Sequence, residues 1–198
     1  MKTFYIIASI GFLFLMIQSY KLLSNNLKTE NQKYRLVLKD ALFEIRFYPS
    51  ATFAKIYSSG TDYKSVSSSG FRKLAGYIFG GNDQGKSISM TAPVRMEMSD
   101  KGSSMSFVMP EKYKESDLPK PKDASVQIVK SSPQYVAVIS FGGYADDESI
   151  QENRNLLLKI IQKKGIKVTG EYSFLGYNAP FQFWSRKNEV VIPIDWKE

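Results

Sequence analysis

The chain has 198 residues, a formal net charge of +8, and neither cysteine nor histidine. Those two absences exclude disulfides, thiolate or imidazole metal ligands, a cysteine nucleophile, lipobox-type lipid attachment and a Ser-His-Asp triad. With 43% hydrophobic and 14% aromatic residues, the composition is that of one globular domain with a real core, not of a disordered chain.

The basic residues are scattered, in runs no longer than pairs such as Lys163-Lys164 and Arg186-Lys187. That distribution describes a solvated basic surface, so no nucleic-acid partner is expected; anionic lipid or a small anionic ligand suits it better.

The N-terminus carries an uncharged apolar run from Thr3 to Tyr20, bracketed by Lys2 and Lys21. It is apolar on every face and reaches the short end of transmembrane-helix lengths. Gln18, Tyr20 and Leu22 are too large for a small-x-small cleavage site. Residues 1–23 are therefore expected to form an uncleaved signal anchor, with Lys2 inside and the domain on the extracytoplasmic side. The alternative is a cleaved signal peptide that releases a secreted or periplasmic protein. Residues 24–33, SNNLKTENQK, read as a polar linker, and 34–198 as the folded domain.

From Tyr34 the pattern is that of strands. YRLVLKD (34–40) is short and apolar. LFEIRFYPSATFAKIYSS (42–59) alternates, with Phe43, Ile45 and Phe47 on one face and Glu44, Arg46 and Tyr48 on the other. Pro49 predicts a kink or bulge in it. Asp62 opens a helix whose Phe71, Leu74, Ala75 and Ile78 recur at helical spacing, and Gly80-Gly81 stops it. Leu74 and Ile78 are expected in the core, and Phe71 at a groove. SISMTAPVRMEM (87–98) and SMSFVMP (104–110) read as strands joined by the turn SDKGS. Their methionines, with Met90, Met96, Met98, Met105 and Met109 among them, read as core filling in preference to thioether ligands. Gly80, Gly81, Asn82 and Gly85 follow a helix and precede a strand, the reverse of a phosphate cradle, so they read as a helix stop and turn. Residues 111–125 are charged and proline-rich, an exposed and mobile crossover loop.

The second half repeats this order. YVAVISFGGY (135–144) reads as a strand. Asp146 or Asp147 caps a helix through about Lys164, with Ile150, Leu157, Ile160 and Ile161 facing inward, and Gly165 ends it. GEYSFLGYN (170–178) and EVVIPID (189–195) complete the set. The expected fold is α+β. It is a pseudo-twofold repeat of βαββ units forming a distorted antiparallel β-barrel or curved sheet with two packed helices, preceded by the N-terminal transmembrane helix. Glu44, Glu97, Glu171 and several tyrosines are the available acid-base groups, and no paired-carboxylate spacing singles out a catalytic site. Asn188, Glu189 and Arg186 read as an internal polar network pinning the last strand.

Three stretches resemble a known family. FRKLAGYIFGGNDQGKSISMTAPV (71–94) is similar to the helix-to-strand signature of the SOUL haem-binding proteins; FGGY (141–144) and GYNAPFQFWSRKNEVVIPI (176–194) are also typical of them. The resemblance spans roughly Tyr34 to Ile194. It implies two βαββ halves and binding of haem or another tetrapyrrole in a shallow apolar groove on the first helix, beside the C-terminal loop. The ligand-contacting positions it implies are Ser68, Phe71, Arg72, Lys73, Leu74 and Ala75, with Phe181 and Gln182 in the loop. Positions that are basic in a haem-binding member carry Ser68, Gly76 and Gln182 here, leaving Arg72, Lys73 and Arg186 as nearby cations for the propionates. Without histidine, no specific iron ligation is expected, and no metal ligand is assigned. The reading is a monomeric, membrane-anchored, non-enzymatic binder that buffers or transfers haem. The wider fold also resembles GyrI-type effector-binding domains, so the alternatives are a GyrI-like small-molecule sensor or hydrolase, or a protein-interaction module using the 111–125 loop.

Overall fold

The computed structural model describes residues 29–99, 102–179 and 181–197. The expected anchor and the first part of the linker lie outside them. Among the described residues, no helix is long and apolar enough to cross a membrane.

The body from Asn31 onward is a compact unit built on a ten-stranded antiparallel sheet and two helices. In chain order the strands are β1 (Arg35–Lys39), β2 (Glu44–Tyr48), β3 (Thr52–Ser58), β4 (Val94–Ser99), β5 (Gly102–Val108), β6 (Gln127–Lys130), β7 (Gln134–Phe141), β8 (Lys167–Val168), β9 (Ser173–Gly176) and β10 (Asn188–Asp195). Helix α1 (Tyr63–Ile78) follows β3, and α2 (Asp147–Lys163) follows β7. The sheet order is β1-β2-β7-β10-β9-β4-β5-β3-β6, with β8 also paired to β10.

That order is a palindrome about the β9–β4 junction. One unit, β3-α1-β4-β5, pairs as β3-β5-β4; the other, β7-α2-β9-β10, pairs as β7-β10-β9. The strand preceding each unit crosses to the other one: β2 pairs with β7, and β6 with β3. The repeated element order in the sequence thus corresponds to a repeated pairing order.

The sheet is curled into a partial barrel. Four strand steps separate β2 from β4, about 19 Å in a flat sheet. Yet the Arg95 guanidinium on β4 lies 5.7 Å from the centre of the Tyr48 ring on β2. The helices cover the opposite face. There α1 packs on β3 and β5, α2 packs on β7 and β10, and the main core includes Ile45, Leu74, Met96, Met105, Leu157 and Val190.

Both helices start at aspartates. Asp62 Oδ1 accepts from Ser65 N–H at 2.8 Å, and Asp146 Oδ1 accepts from Ser149 N–H at 2.8 Å in a capping box. The two starts are tied together: Tyr63 N–H donates to Asp147 Oδ1 at 2.6 Å. Gly80, with φ 107°, ends the first helix, as its position after the apolar run predicts.

Several expectations change. Pro49 does not kink one strand. It separates β2 from β3, which lie far apart in the sheet. The two faces of β2 read as alternating, and the curl buries the second one too, at Arg46 and Tyr48. SISMTAPVRMEM is not one strand: the main-sheet strand begins at Val94, after the cis Ala92-Pro93 bond. Residues 111–125 are fastened to the body rather than free. Tyr77 OH donates to Pro119 O at 2.9 Å, Asp83 N–H to Lys120 O at 2.9 Å, and Lys122 N–H to Gly81 O at 3.1 Å, while Leu118 is buried. Strands β6 and β8 were not expected from the pattern. Both are short, with β6 partly and β8 wholly exposed, so neither carries clear alternation.

Candidate functional site

A groove of about 640 Å³ opens between α1, the sheet and the last loop. Its helix wall is Tyr63, Ser67, Ser68, Phe71, Arg72 and Ala75. Its floor comes from β4, β5 and β9, through Val94, Met96, Met105, Phe174 and Gly176. Tyr144, Asn178, Arg186 and Asn188 close the far side.

The helix wall follows from spacing. Leu74 and Ile78 point into the core, and Gly70 lets α1 sit close to the sheet; a Cβ there would lie 2.9 Å from Ile56 Cδ1. That approach sets Phe71 and Ala75, one position further around, over the central strands β4, β5 and β9. Phe71 is 37% exposed and packs edge-on against Phe107 at 5.4 Å between ring centres. Tyr63 packs in the same way on Phe174 at 5.2 Å. Aromatic edges and two thioethers thus make the groove largely apolar.

Its cations are Arg72 and Arg186. Arg72 is exposed on the rim, without an ion pair among the described residues. Arg186 donates through Nη1 to Ala179 O at 3.0 Å and Gln182 O at 2.7 Å, and its guanidinium lies 4.3 Å from the Tyr144 ring centre. Its Nε is buried and has no hydrogen-bond partner among the described residues. Burial pushes the Tyr63 phenol above its ordinary value; Arg186 opposes this and Asp147 reinforces it. Asn188 Nδ2 donates to Gly143 O at 2.9 Å and so fixes β10 to the FGGY turn.

The sequence-derived positions separate. Ser68, Phe71, Arg72 and Ala75 line the groove. Leu74 does not, being fully buried under α1. Lys73 points away and donates to Ser125 Oγ at 3.2 Å. Phe181 is exposed and Gln182 half-buried, and neither lines the groove, because Arg186 folds their loop back on its own carbonyls. Tyr63, Tyr144 and Asn178 line it without having been singled out. Their only sequence signals are Tyr63's place after the helix cap and the two glycine motifs FGGY and GYN. Met96 and Met105 are core residues that also surface in the floor, and Arg186 and Asn188 belong to both the polar network and the wall.

Chemically, the groove offers apolar surface, hydroxyls and two guanidinia. Among its lining residues there is no carboxylate to act as a general base. A Glu-Tyr pair does exist, buried Glu189 with half-buried Tyr177 through its OH at 2.7 Å, but it lies on the other face of the sheet and lines neither this groove nor a second cavity. Glu44 and Glu97 are engaged by Arg46 and Lys55 respectively. Among the described residues, no group of three or more acidic residues could hold a metal.

By structure, the chain is similar to the EcmrR C-terminal domain, with a TM-score of 0.59 and 9% identity over 82% of this chain and 98% of that one. It is also similar to a hydrolase from Listeria innocua, with a TM-score of 0.52 and 12% identity over 89% and 98% of the two chains. At such identities these likenesses concern the fold alone. By sequence, it is 34% identical to Heme-binding protein 2 of Mus musculus over 75% of this chain and 76% of the relative. It is 27% identical to Heme-binding protein 1 of Bos taurus over 76% and 82%. The profile of the SOUL heme-binding proteins matches residues 29–193, which takes in both helices and all of the sheet but the last two residues of β10, and the chain belongs to that family.

Proposed function

We propose that the groove beneath α1 binds haem or a related tetrapyrrole without transforming it. The observation that carries this reading is an apolar groove whose two cations, Arg72 and Arg186, lack carboxylate partners among the described residues. Its volume lies within the roughly 300–1,000 Å³ of small-molecule sites. The ring system would lie against Phe71, Ala75 and the methionine floor, and the two guanidinia would meet the propionates. Family membership and the haem-binding names of the relatives support the same class of ligand. Bound haem would supply an iron centre; this chain contributes apolar contact and charge, with no histidine to ligate it.

The absence of a carboxylate from the lining favours a binder over a hydrolase of GyrI type. A protein-interaction role for residues 111–125 is less favoured, since that segment is hydrogen-bonded to the body. Haem titrated into residues 24–198 should give a saturable Soret shift, weakened about tenfold by Phe71→Ala; unsaturable binding defeats the reading. We further propose that residues 1–23 anchor the domain on the extracytoplasmic side, where it buffers or hands over haem at the membrane. Protease protection of intact cells or vesicles and carbonate extraction decide this: release into the soluble fraction means cleavage instead.

A further inference from the structure

Along β4 alternate side chains serve opposite faces of the sheet. Val94 and Met96 face the groove, and Arg95 and Glu97 face the interior of the curl. On that inner face lies a second cavity of about 280 Å³, lined by Arg95, Lys55, Lys130, Glu97, Tyr48, Phe53, Tyr57, Ser106 and Gln134 among others.

Its charges are unbalanced. Register places Arg95 opposite Ser106, and Ser106 opposite Lys55, so two cations stand in one cross-strand row. Lys130 is added from β6, opposite Thr52. The one carboxylate in the lining, Glu97, is taken by Lys55 at 3.1 Å. Arg95 has no ion pair among the described residues. Its Nε is buried without a hydrogen-bond partner, and its guanidinium lies 5.7 and 5.9 Å from the centres of the Tyr48 and Phe53 rings. Burial pulls this guanidinium below its ordinary value, partly offset by Tyr48, Glu97 and Tyr177. A desolvated guanidinium facing ring faces is costly unless an anion completes its hydrogen bonds.

We infer that this inner cavity is a second ligand site, for a small carboxylate with a flat apolar body. The planar guanidinium matches a carboxylate in two-pronged fashion. The Tyr48, Phe53 and Tyr57 rings provide apolar walls, and the volume admits one ring and its acid group but not a tetrapyrrole. The site is separate from the groove because the sheet lies between them.

The test is calorimetric titration of the full chain with benzoate, benzyl alcohol and inorganic phosphate. Benzoate binds saturably, and the neutral alcohol at least tenfold more weakly. Arg95→Met lowers benzoate affinity at least tenfold, and Lys130→Gln, at an exposed rim position, by two- to fivefold. Arg72→Gln in the groove leaves it unchanged. Should Arg95→Met not fold, Arg95→Lys and Lys130→Gln carry the test. Benzoate binding that is absent, insensitive to these inner-face variants, or lost with Arg72→Gln overturns the site. Phosphate binding tighter than benzoate overturns its assignment to carboxylates.

Discussion

Arg46 and Glu189 meet as a two-pronged ion pair inside the curl of the sheet. Arg46 Nη1 and Nη2 each donate to a Glu189 carboxylate oxygen at 2.9 Å, and the two residues are 2% and 0% exposed. The Glu189 carboxylate also accepts from Tyr177 OH at 2.7 Å, Ser140 Oγ at 3.1 Å and Lys187 Nζ at 3.0 Å. Arg46 in turn reaches Glu44 and covers the Tyr34 ring at 4.1 Å. With so many donors on one carboxylate, the pair fastens β2 to β10 across β7 and leaves the carboxylate no capacity for acid-base chemistry. Glu189→Ala leaves the buried guanidinium with Glu44 as its remaining carboxylate partner and is expected to cost about 3–5 kcal/mol in urea unfolding. The double replacement Arg46→Met, Glu189→Leu recovers much of that loss, since apolar side chains satisfy one another. Equal losses in the single and double variants would show that packing, and not the charge pair, holds this junction.

Stability depends on pH through the same pair. Burial alone would raise Glu189, but the Arg46 fork, the Tyr177 hydroxyl and Lys187 hold it below its ordinary value of 4.5. A depressed carboxylate contributes stability above its unfolded value and loses that contribution as pH falls through the lower folded value. Unfolding free energy should therefore fall below about pH 4.5, and fall less steeply in the Arg46→Met, Glu189→Leu variant. At the other end, burial pushes Tyr77 from 10.0 up to about 12. Its neutral phenol, bonded to Pro119 O, contributes below about pH 10, and the contribution is lost toward pH 12. Tyr77→Phe should flatten that alkaline loss in a chemical-unfolding series.

Much of this fold is legible in the sequence because each element carries its own punctuation. Asp62 and Asp146 cap helices where the apolar periodicity begins, and Gly80 stops α1 where it ends. Leu74 and Ile78 lie in the core as their helical spacing predicts, and Met98 and Met109 as core-filling methionines. The inner face of the curl was not legible. Glu44, Arg46 and Tyr48 alternate as a solvated strand face does, and only long-range pairing of β2 with β7 encloses them. The groove divides in the same way. Phe71 and Ala75 follow from helix geometry, whereas Tyr144, Asn178 and Arg186 arrive from loops whose course the Arg186 hydrogen bonds decide. Phe181 and Gln182 were placed by resemblance, and resemblance carries no information about where this loop folds.

Adjacent cations on α1 give a discriminating test of the groove. Arg72 lines it, while Lys73 points toward Ser125. Arg72→Gln is expected to weaken haem binding about tenfold, near 1.4 kcal/mol, and Lys73→Gln to leave it within about twofold. Fluorescence quenching titrations at two salt concentrations read both effects. The Arg72 contribution should shrink at high salt, as it would for an exposed charge meeting a carboxylate. Equal effects of the two substitutions would point to general surface potential instead of a contact.

Glycines at the end of α1 make opposite predictions within one turn. Gly76 is exposed inside the helix, and a Cβ there would meet nothing within 4 Å. Gly76→Ala therefore gains helix propensity, by about 1 kcal/mol. Gly81 donates its N–H to Gly76 O at 2.8 Å, and a Cβ on Gly81 would lie 2.6 Å from that same oxygen. This obstacle is backbone and cannot rotate away. The turn beyond it is held by buried Asn82, whose Nδ2 donates to Tyr77 O and Lys86 O and whose Oδ1 accepts from Lys86 N–H. Gly81→Ala must displace that turn and is expected to cost about 1–3 kcal/mol. Thermal unfolding of the two variants side by side decides between a helix stop that needs a bare backbone at residue 81 and one fixed by Gly80 alone. In the second case Gly81→Ala would be as stable as the parent chain.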